Sequence, residues 1–380
     1  MLAVRRLFTA ALLAICATAV LTPVASAGPR KVPNSFFGVM FDGALRGAPL
    51  ETQQTQFDLM ARSGVESVRW VMSWEGMQSV PNGRFDYDGP DRTVRLAAER
   101  GMTVLPVLLH APRFGRLYKG RDYSPPRITP FQSFLRAVVR RYGSNGRFWI
   151  DNPDLPRRPI RQWQVWNEPN IETFWDVKRG GAWRWPIGYV RLLKAANRTI
   201  KRTDPRARVV TAGIVGPAWL ELARLYKLGL KGHFDTMAVH VYPQTEARVI
   251  EAVRRVRSVM TENKDRRKRI FLTETAFPSS RGEVKPIEGQ RQETKAGMAR
   301  RLSRLYRLAV GNRRKLALDR MYWYTWASGY RHPTSNFEYA GLVAEPEDGQ
   351  RYKPQPALRA FRNSASRYQG CRKNVFGRCR

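Results

Sequence analysis

The chain has 380 residues, of which 43% are hydrophobic, and a formal charge of +36. That length and apolar share exclude a mainly disordered chain and allow one large core or two modest ones. The basic residues are spread along the sequence and not gathered into one arm. Most of the charge therefore reads as solvated surface, and attraction to an acidic polymer or envelope surface is the competing reading. No docking motif for a specific nucleic acid accompanies it.

The chain opens with Arg5 and Arg6, an uncharged apolar stretch over 7–25, and the small-x-small run Ala25-Ser26-Ala27. This is the pattern of a secretory signal peptide, so residues 1–27 are expected to be removed on export. Loss of Arg5 and Arg6 would take the charge from +36 to +34. The stretch is nearly long enough to remain as a membrane tether if it is not cleaved. Either way the protein is expected to be secreted or extracytoplasmic. Cys16 would leave with the leader, so Cys371 and Cys379 remain, closing a short loop in the basic tail 369–380. In an exported chain such a pair is expected to form a disulfide, because a metal site needs further ligands.

Past the leader, short apolar runs alternate with longer amphipathic ones. FFGVMF (36–41) precedes a helical stretch over 52–64, SVRWVM (67–72) one near 91–100, and TVLPVLLH (103–110) one over 130–142. IRQWQVWNEP (160–169) precedes a helix over 186–203, and RVVTAGIV (208–215) one over 218–228. TMAVHVY (236–242), RIFLTETAF (269–277) and LDRMYWYTW (318–326) complete the strands, with helices expected over 245–261, 290–309 and 356–367. Eight strand and helix pairs in this order predict a parallel (β/α)8 TIM barrel, a single catalytic domain over 28–368. A doubly wound open sheet is the structural rival, but no GxGxxG follows an early strand.

In such a barrel the C-terminal ends of the strands form the active face. Those ends carry Arg69, His110, Asn167 and Glu168, His240 and Tyr242, Glu274, Trp323 and Trp326. Two carboxylates facing each other across a cleft suit glycosidic bond cleavage: one protonates the departing oxygen, and the other attacks or supports the anomeric carbon. Burial raises the pKa of one such carboxyl, and cationic and hydrogen-bonding neighbours hold down the other. Arg69 and Tyr242 are the natural neighbours of Glu274, and Asn167 is placed to donate to a sugar hydroxyl.

With WNEPN, LTETAF, RWVMSWEGMQSVPNGRFDYDGPDRTV and VLLHAPRF in this order, the chain resembles glycoside hydrolase clan A. It is similar to family 39 xylosidase-like and family 5 cellulase-like members over roughly 36–330. The resemblance implies a retaining glycosidase acting by double displacement on the β-glycosidic O-glycosyl bonds of a polysaccharide or oligosaccharide. Glu168 would be the general acid/base and Glu274 the nucleophile. Asn167 would hold the hydroxyl beside the anomeric carbon, Arg69 and Tyr242 would orient Glu274, and Trp326 would be the sugar platform.

His110 and His240 are further candidates for substrate contacts, each also readable as a satisfied strand-end group. In HVY, alternation sends His240 and Tyr242 to the same face. Trp323 and Trp326 fall on opposite faces unless a bulge intervenes, and Trp326 is preferred as nearer the strand end. Trp74, Phe174, Trp175, Trp183 and Trp185, on loops after strands two and four, are candidate subsite walls, Trp175 and Trp183 foremost, or else loop packing. No HxxxH or CxxC spacing suggests a metal, and no phosphate or dinucleotide loop suggests a cofactor. The expected partner is a carbohydrate and the expected working unit a monomer. The alternative is a carbohydrate- or envelope-binding protein that keeps a glycosidase-like barrel without turnover.

Overall fold

A computed structural model describes residues 28–178, 181–285, 292–329, 335–345 and 351–379. The expected leader lies outside these residues. Eight parallel strands close into a barrel in sequential order. They are β1 (Phe37–Phe41), β2 (Ser67–Ser73), β3 (Thr103–Leu109), β4 (Gln162–Val165), β5 (Arg208–Val210), β6 (Thr236–His240), β7 (Arg269–Thr275) and β8 (Leu318–Trp323). Among the described residues, eight helices of ten residues or more surround it: α1 (Leu50–Arg62), α2 (Asp88–Glu99), α3 (Ile128–Tyr142), α4 (Ile187–Thr203), α5 (Ala218–Lys227), α6 (Glu246–Glu262), α7 (Lys295–Leu316) and α8 (Pro356–Gln369). Among the described residues, no helix is long and apolar enough to cross a membrane.

The helices dock through stripes set by the 3.6-residue period. On α3, Phe131, Phe134, Leu135, Val138, Val139 and Tyr142 are buried. Thr294 caps α7 by accepting from the Gly297 backbone N–H, at 3.0 Å. That cap fixes the start of α7 later than the expected 290, where residues 290 and 291 lie outside the described residues. Its end runs past 309 because Leu316 still packs inward, and Ala317, at φ +51°, then turns the chain.

Inside the barrel, side chains form layers. Leu105, Val210, Ala238, Phe271 and Tyr322 make one apolar cluster. The Tyr322 hydroxyl and Ser67 hydroxyl are hydrogen-bonded at 2.8 Å, and a Cβ on Gly38 would come within 2.4 Å of the Tyr322 ring. Gly38 therefore makes room for the largest side chain of that layer. Toward the C-terminal face, Arg69 Nε donates to Gln164 Oε1 at 2.8 Å, and the filling becomes polar.

Strands four and five are shorter than their apolar runs predict. Trp166 and Glu168 have φ of +72° and +37°, which takes the chain out of the sheet at once after Val165. After Val210 only an isolated bridge pairs Ile214 with Val239. Past β8, the short strands Ala327–Ser328, Val343–Ala344 and Lys353–Pro354 form a small sheet, and a 3-10 turn at Asn336–Tyr339 brings Phe337 over the mouth. A disulfide joins Cys371 and Cys379. Lys373 Nζ of that tail donates to Glu66 Oε1 at 2.8 Å, just before β2, which is the end of the barrel away from the site.

Candidate active site

The alternation that fills the barrel also aims the site. On β6 the inward phase of Ala238 continues through His240 to Tyr242, and on β2 it passes from Ser67 to Arg69. Arg69, 1% exposed, donates from Nη1 to Glu274 Oε1 at 2.6 Å and from Nη2 to Asn167 Oδ1 at 2.7 Å. One guanidinium thereby fixes both a candidate nucleophile and a candidate substrate-binding amide, which a planar fork does better than an ammonium. The Tyr242 hydroxyl donates to the other Glu274 oxygen, Oε2, at 2.5 Å.

Glu274 lies lower than an ordinary glutamate for a definable reason. Burial by itself pushes its carboxyl up, but His240, Arg69 and the Tyr242 hydrogen bond together outweigh burial and hold it below 4.5. It is thus an anion at neutral pH. Tyr242→Phe removes one donor to that anion, so the acidic limb of kcat/KM should move to higher pH. A pH profile of the variant checks this, because kcat/KM reports the ionisations of the free enzyme.

Across the mouth stands Glu168, delivered by the turn at the end of β4. Its backbone N–H donates to the Gly213 carbonyl at 3.1 Å, and the Trp166 indole N–H donates to the Phe174 carbonyl at 2.8 Å. These bonds hold a left-handed backbone that costs a non-glycine residue about 1–3 kcal/mol. His240 Nδ1 lies 2.6 Å from Glu168 Oε1, and its Nε2 lies 3.5 Å from Glu274 Oε1. The imidazole, fully buried, is wedged between the two acids.

Gly213 is what lets it fit. A Cβ there would stand 1.9 Å from His240 Nε2, so any side chain expels the ring. Gly213→Ala should lower kcat roughly 100-fold, the scale of an ångström misplacement in a catalytic group. Unchanged kcat in a folded variant would show that His240 does not position Glu168.

One ligand atom from each of Glu168, His240 and Glu274 lies within 4.8 Å of the others. These three side chains have the donor types of a metal site, but Arg69 already sits 2.6 Å from Glu274 Oε1. A guanidinium in that position opposes a cation and favours the ionised carboxylate.

The space above is one cleft with three lobes. A central chamber of about 410 Å³ is lined by Asp42, Arg69, Asn167, Glu168, Glu274 and Tyr324, among others. A second, about 650 Å³, shares Glu168, Tyr242 and Phe337 with it and runs past Trp219. A third, about 450 Å³, shares His110 and Phe174 with the central one. Burial first, then the nearby Arg46, holds the His110 imidazole below 6.5. His110 therefore faces the cleft as a neutral hydrogen-bonding group.

The tryptophan expectations are corrected. Trp326 is fully buried, its indole donating to Gln56 Oε1 at 3.0 Å, so it offers no face to a sugar. Strict alternation from Tyr322 makes Tyr324 the inward residue, and Tyr324 lines the central chamber. Trp74 is also fully buried, stacked on Phe134 at 5.7 Å. Trp175 is buried edge-on to Trp166 at 5.9 Å, with its indole donating to the Trp183 carbonyl at 3.0 Å. Both brace loops and are not subsite walls. Phe174, Trp219 and Phe337 face the cleft instead.

Asp42 was not among the expected residues. It follows β1 in phase with Gly38 and Met40, a signal legible in FFGVMFD. The Thr325 hydroxyl donates to its Oδ1. Burial, reinforced by the charge of Glu274, pushes its carboxyl above 3.8, although the Thr325 and Tyr324 hydrogen bonds oppose the shift.

No protein-family model matches the chain, and no curated protein does. Solved structures do. A family 39 glycoside hydrolase from Bacteroides cellulosilyticus WH2 is 16% identical with a TM-score of 0.67 over 89% of this chain and 65% of its own. A monomeric beta-xylosidase from Caulobacter crescentus CB15 is 18% identical, with a TM-score of 0.64 over 89% of this chain and 69% of its own. A family 1 β-glucosidase from Thermotoga maritima is 13% identical, with a TM-score of 0.62 over 90% of this chain and 99% of its own. The chain has the fold of these glycoside hydrolases. It spans about two thirds of the length of the first two.

Proposed function

We propose that the chain is a retaining β-glycosidase that works by double displacement. The observation that carries this reading is the approach of two carboxyl groups. Oxygens of Glu168 and Glu274 lie within 4.8 Å of each other across the mouth of the barrel. Retaining enzymes hold this pair about 5 Å apart, whereas inverting enzymes leave about 6.5–9.5 Å for a water. The glycosidase fold of the neighbours supports the same reading.

Glu274, held as an anion by Arg69 and Tyr242, attacks the anomeric carbon as Glu168 gives its proton to the leaving oxygen. A glycosyl ester on Glu274 results. Glu168, now the base, takes a proton from water, which displaces the sugar from Glu274 with its original configuration. Asn167, held through Oδ1 by Arg69, presents its amide N–H groups to the hydroxyl next to the reacting carbon.

A 2-fluoro glycoside with a good leaving group tests this directly. Mass spectrometry should find one sugar on the peptide carrying Glu274. Its absence across a panel of xylosides, glucosides and mannosides would favour the non-catalytic carbohydrate binder. The leader over 1–27 supports a secreted or extracytoplasmic setting for this activity. Every side chain used above comes from one barrel, which supports a monomer as the working unit.

A further inference from the structure

The lobes of the cleft differ in charge, and that difference bears on what is cleaved. The central chamber, over Glu274, gathers the carboxyl groups of Asp42, Glu168 and Glu274 around a single guanidinium, Arg69. Such a chamber suits a neutral polyol, whose hydroxyls can donate to Asp42, and repels a second anion. The lobe that opens beyond Glu168 is different. It presents the Trp219 ring together with Arg248 and Arg255.

Arg255 lies over the Trp219 ring, 4.9 Å from its centroid, and its Nε donates to Glu251 Oε1 at 3.0 Å. Glu251 is also held by Arg254, so its charge is already shared between two guanidinium groups. Arg248 has a neutral partner only: Nη1 donates to the Gln244 side-chain oxygen at 3.3 Å, and no carboxylate pairs with it among the described residues. Beyond the acid/base Glu168, the lobe is thus lined by two guanidinium groups, Arg248 and Arg255, and one carboxylate, Glu251, which Arg254 outside the lobe also pairs with. An apolar ring face beside an unmatched guanidinium is the chemistry that holds a sugar acid.

We infer that the lobe lined by Trp219, Arg248 and Arg255 is the leaving-group site and receives a sugar unit bearing a carboxylate. This rests on the proposed hydrolase, because the proton donor Glu168 stands between the two lobes and marks the side on which the leaving group departs. The bond cut would then join a neutral sugar to an acidic one.

Calorimetric titration of the full chain with methyl β-D-glucuronoside and methyl β-D-glucoside tests the inference without requiring turnover. The acid should bind roughly tenfold tighter or more at low salt, the scale of a charged hydrogen bond. Arg248→Gln combined with Arg255→Gln should bring the two affinities together. Arg300→Gln combined with Arg304→Gln, on exposed α7 positions outside the cleft, should leave the ratio in place. Single Arg248→Gln, at an exposed position, gives the same reading if the double variant does not fold. Equal affinities in the unaltered chain would overturn the inference, as would a preference kept after the Arg248 change and lost after the α7 change. Failure of the fluorinated glycoside to label Glu274 overturns the hydrolase reading instead, so the two failures are separable.

Discussion

Glu274→Gln should lower kcat on the order of 10⁵-fold while leaving the fold intact. The amide nearly preserves size, its oxygen can still accept from Arg69, and its NH2 can donate to the Tyr242 hydroxyl in place of accepting from it, so the main loss is the nucleophile itself. Without a covalent ester no alternative attack is available at the same carbon, because 4.8 Å between carboxyl oxygens leaves no room for a water in line. Circular dichroism and the melting temperature check folding, and steady-state hydrolysis of an activated aryl glycoside checks rate. If the variant keeps more than about a hundredth of the activity, Glu274 is not the nucleophile. Arg69→Met would be the poorer test, since it strands a buried carboxylate and an amide at once.

Glu168→Ala should separate the two halves of the cycle. With a good leaving group such as 2,4-dinitrophenol, formation of the glycosyl ester needs little acid assistance, so release becomes limiting and KM falls with kcat. With a poor leaving group the first step itself should slow by roughly 10²–10⁴-fold. Azide, an anion needing no general base, should enter the space left by the carboxylate and restore turnover, giving a β-glycosyl azide. The configuration of that product is decisive: an α-azide would show one displacement instead of two. A Glu168→Ala variant equally slow on all leaving groups would remove Glu168 from the acid/base role.

Both experiments act on residues whose place is legible in the sequence. Asn167-Glu168 and Thr273-Glu274 stand at the ends of the fourth and seventh apolar runs, and a parallel barrel sends such ends to one face. Arg69, His240 and Tyr242 follow from the same reading of strand ends, with alternation sending His240 and Tyr242 to one face. The aromatic contacts did not. Trp74, Trp175 and Trp326 are as apolar in a core as under a sugar, and composition does not distinguish the two uses. Burial does, and it results from packing against Phe134, Tyr189 and Gln56, residues distant in sequence.

Asp42 and Tyr324 show a different gap. Each keeps the inward phase of its strand, so each was available to a stricter reading of alternation from Gly38 and Tyr322. Gly213 was not available: its role comes from the ring of His240, a residue of the next strand that reaches across 1.9 Å from where a Cβ would stand.

The sequence by itself therefore determined the barrel, its strand order and the two carboxylates, because a period of two and a regular rhythm of strand and helix are local properties. Only the tertiary structure decided which rings face the cleft, that His240 lies between both acids, and that Arg248 lines a lobe of it with only a neutral partner, Gln244, among the described residues. Those are facts of proximity among strands far apart in the chain, and distance in space is set by closure of the barrel.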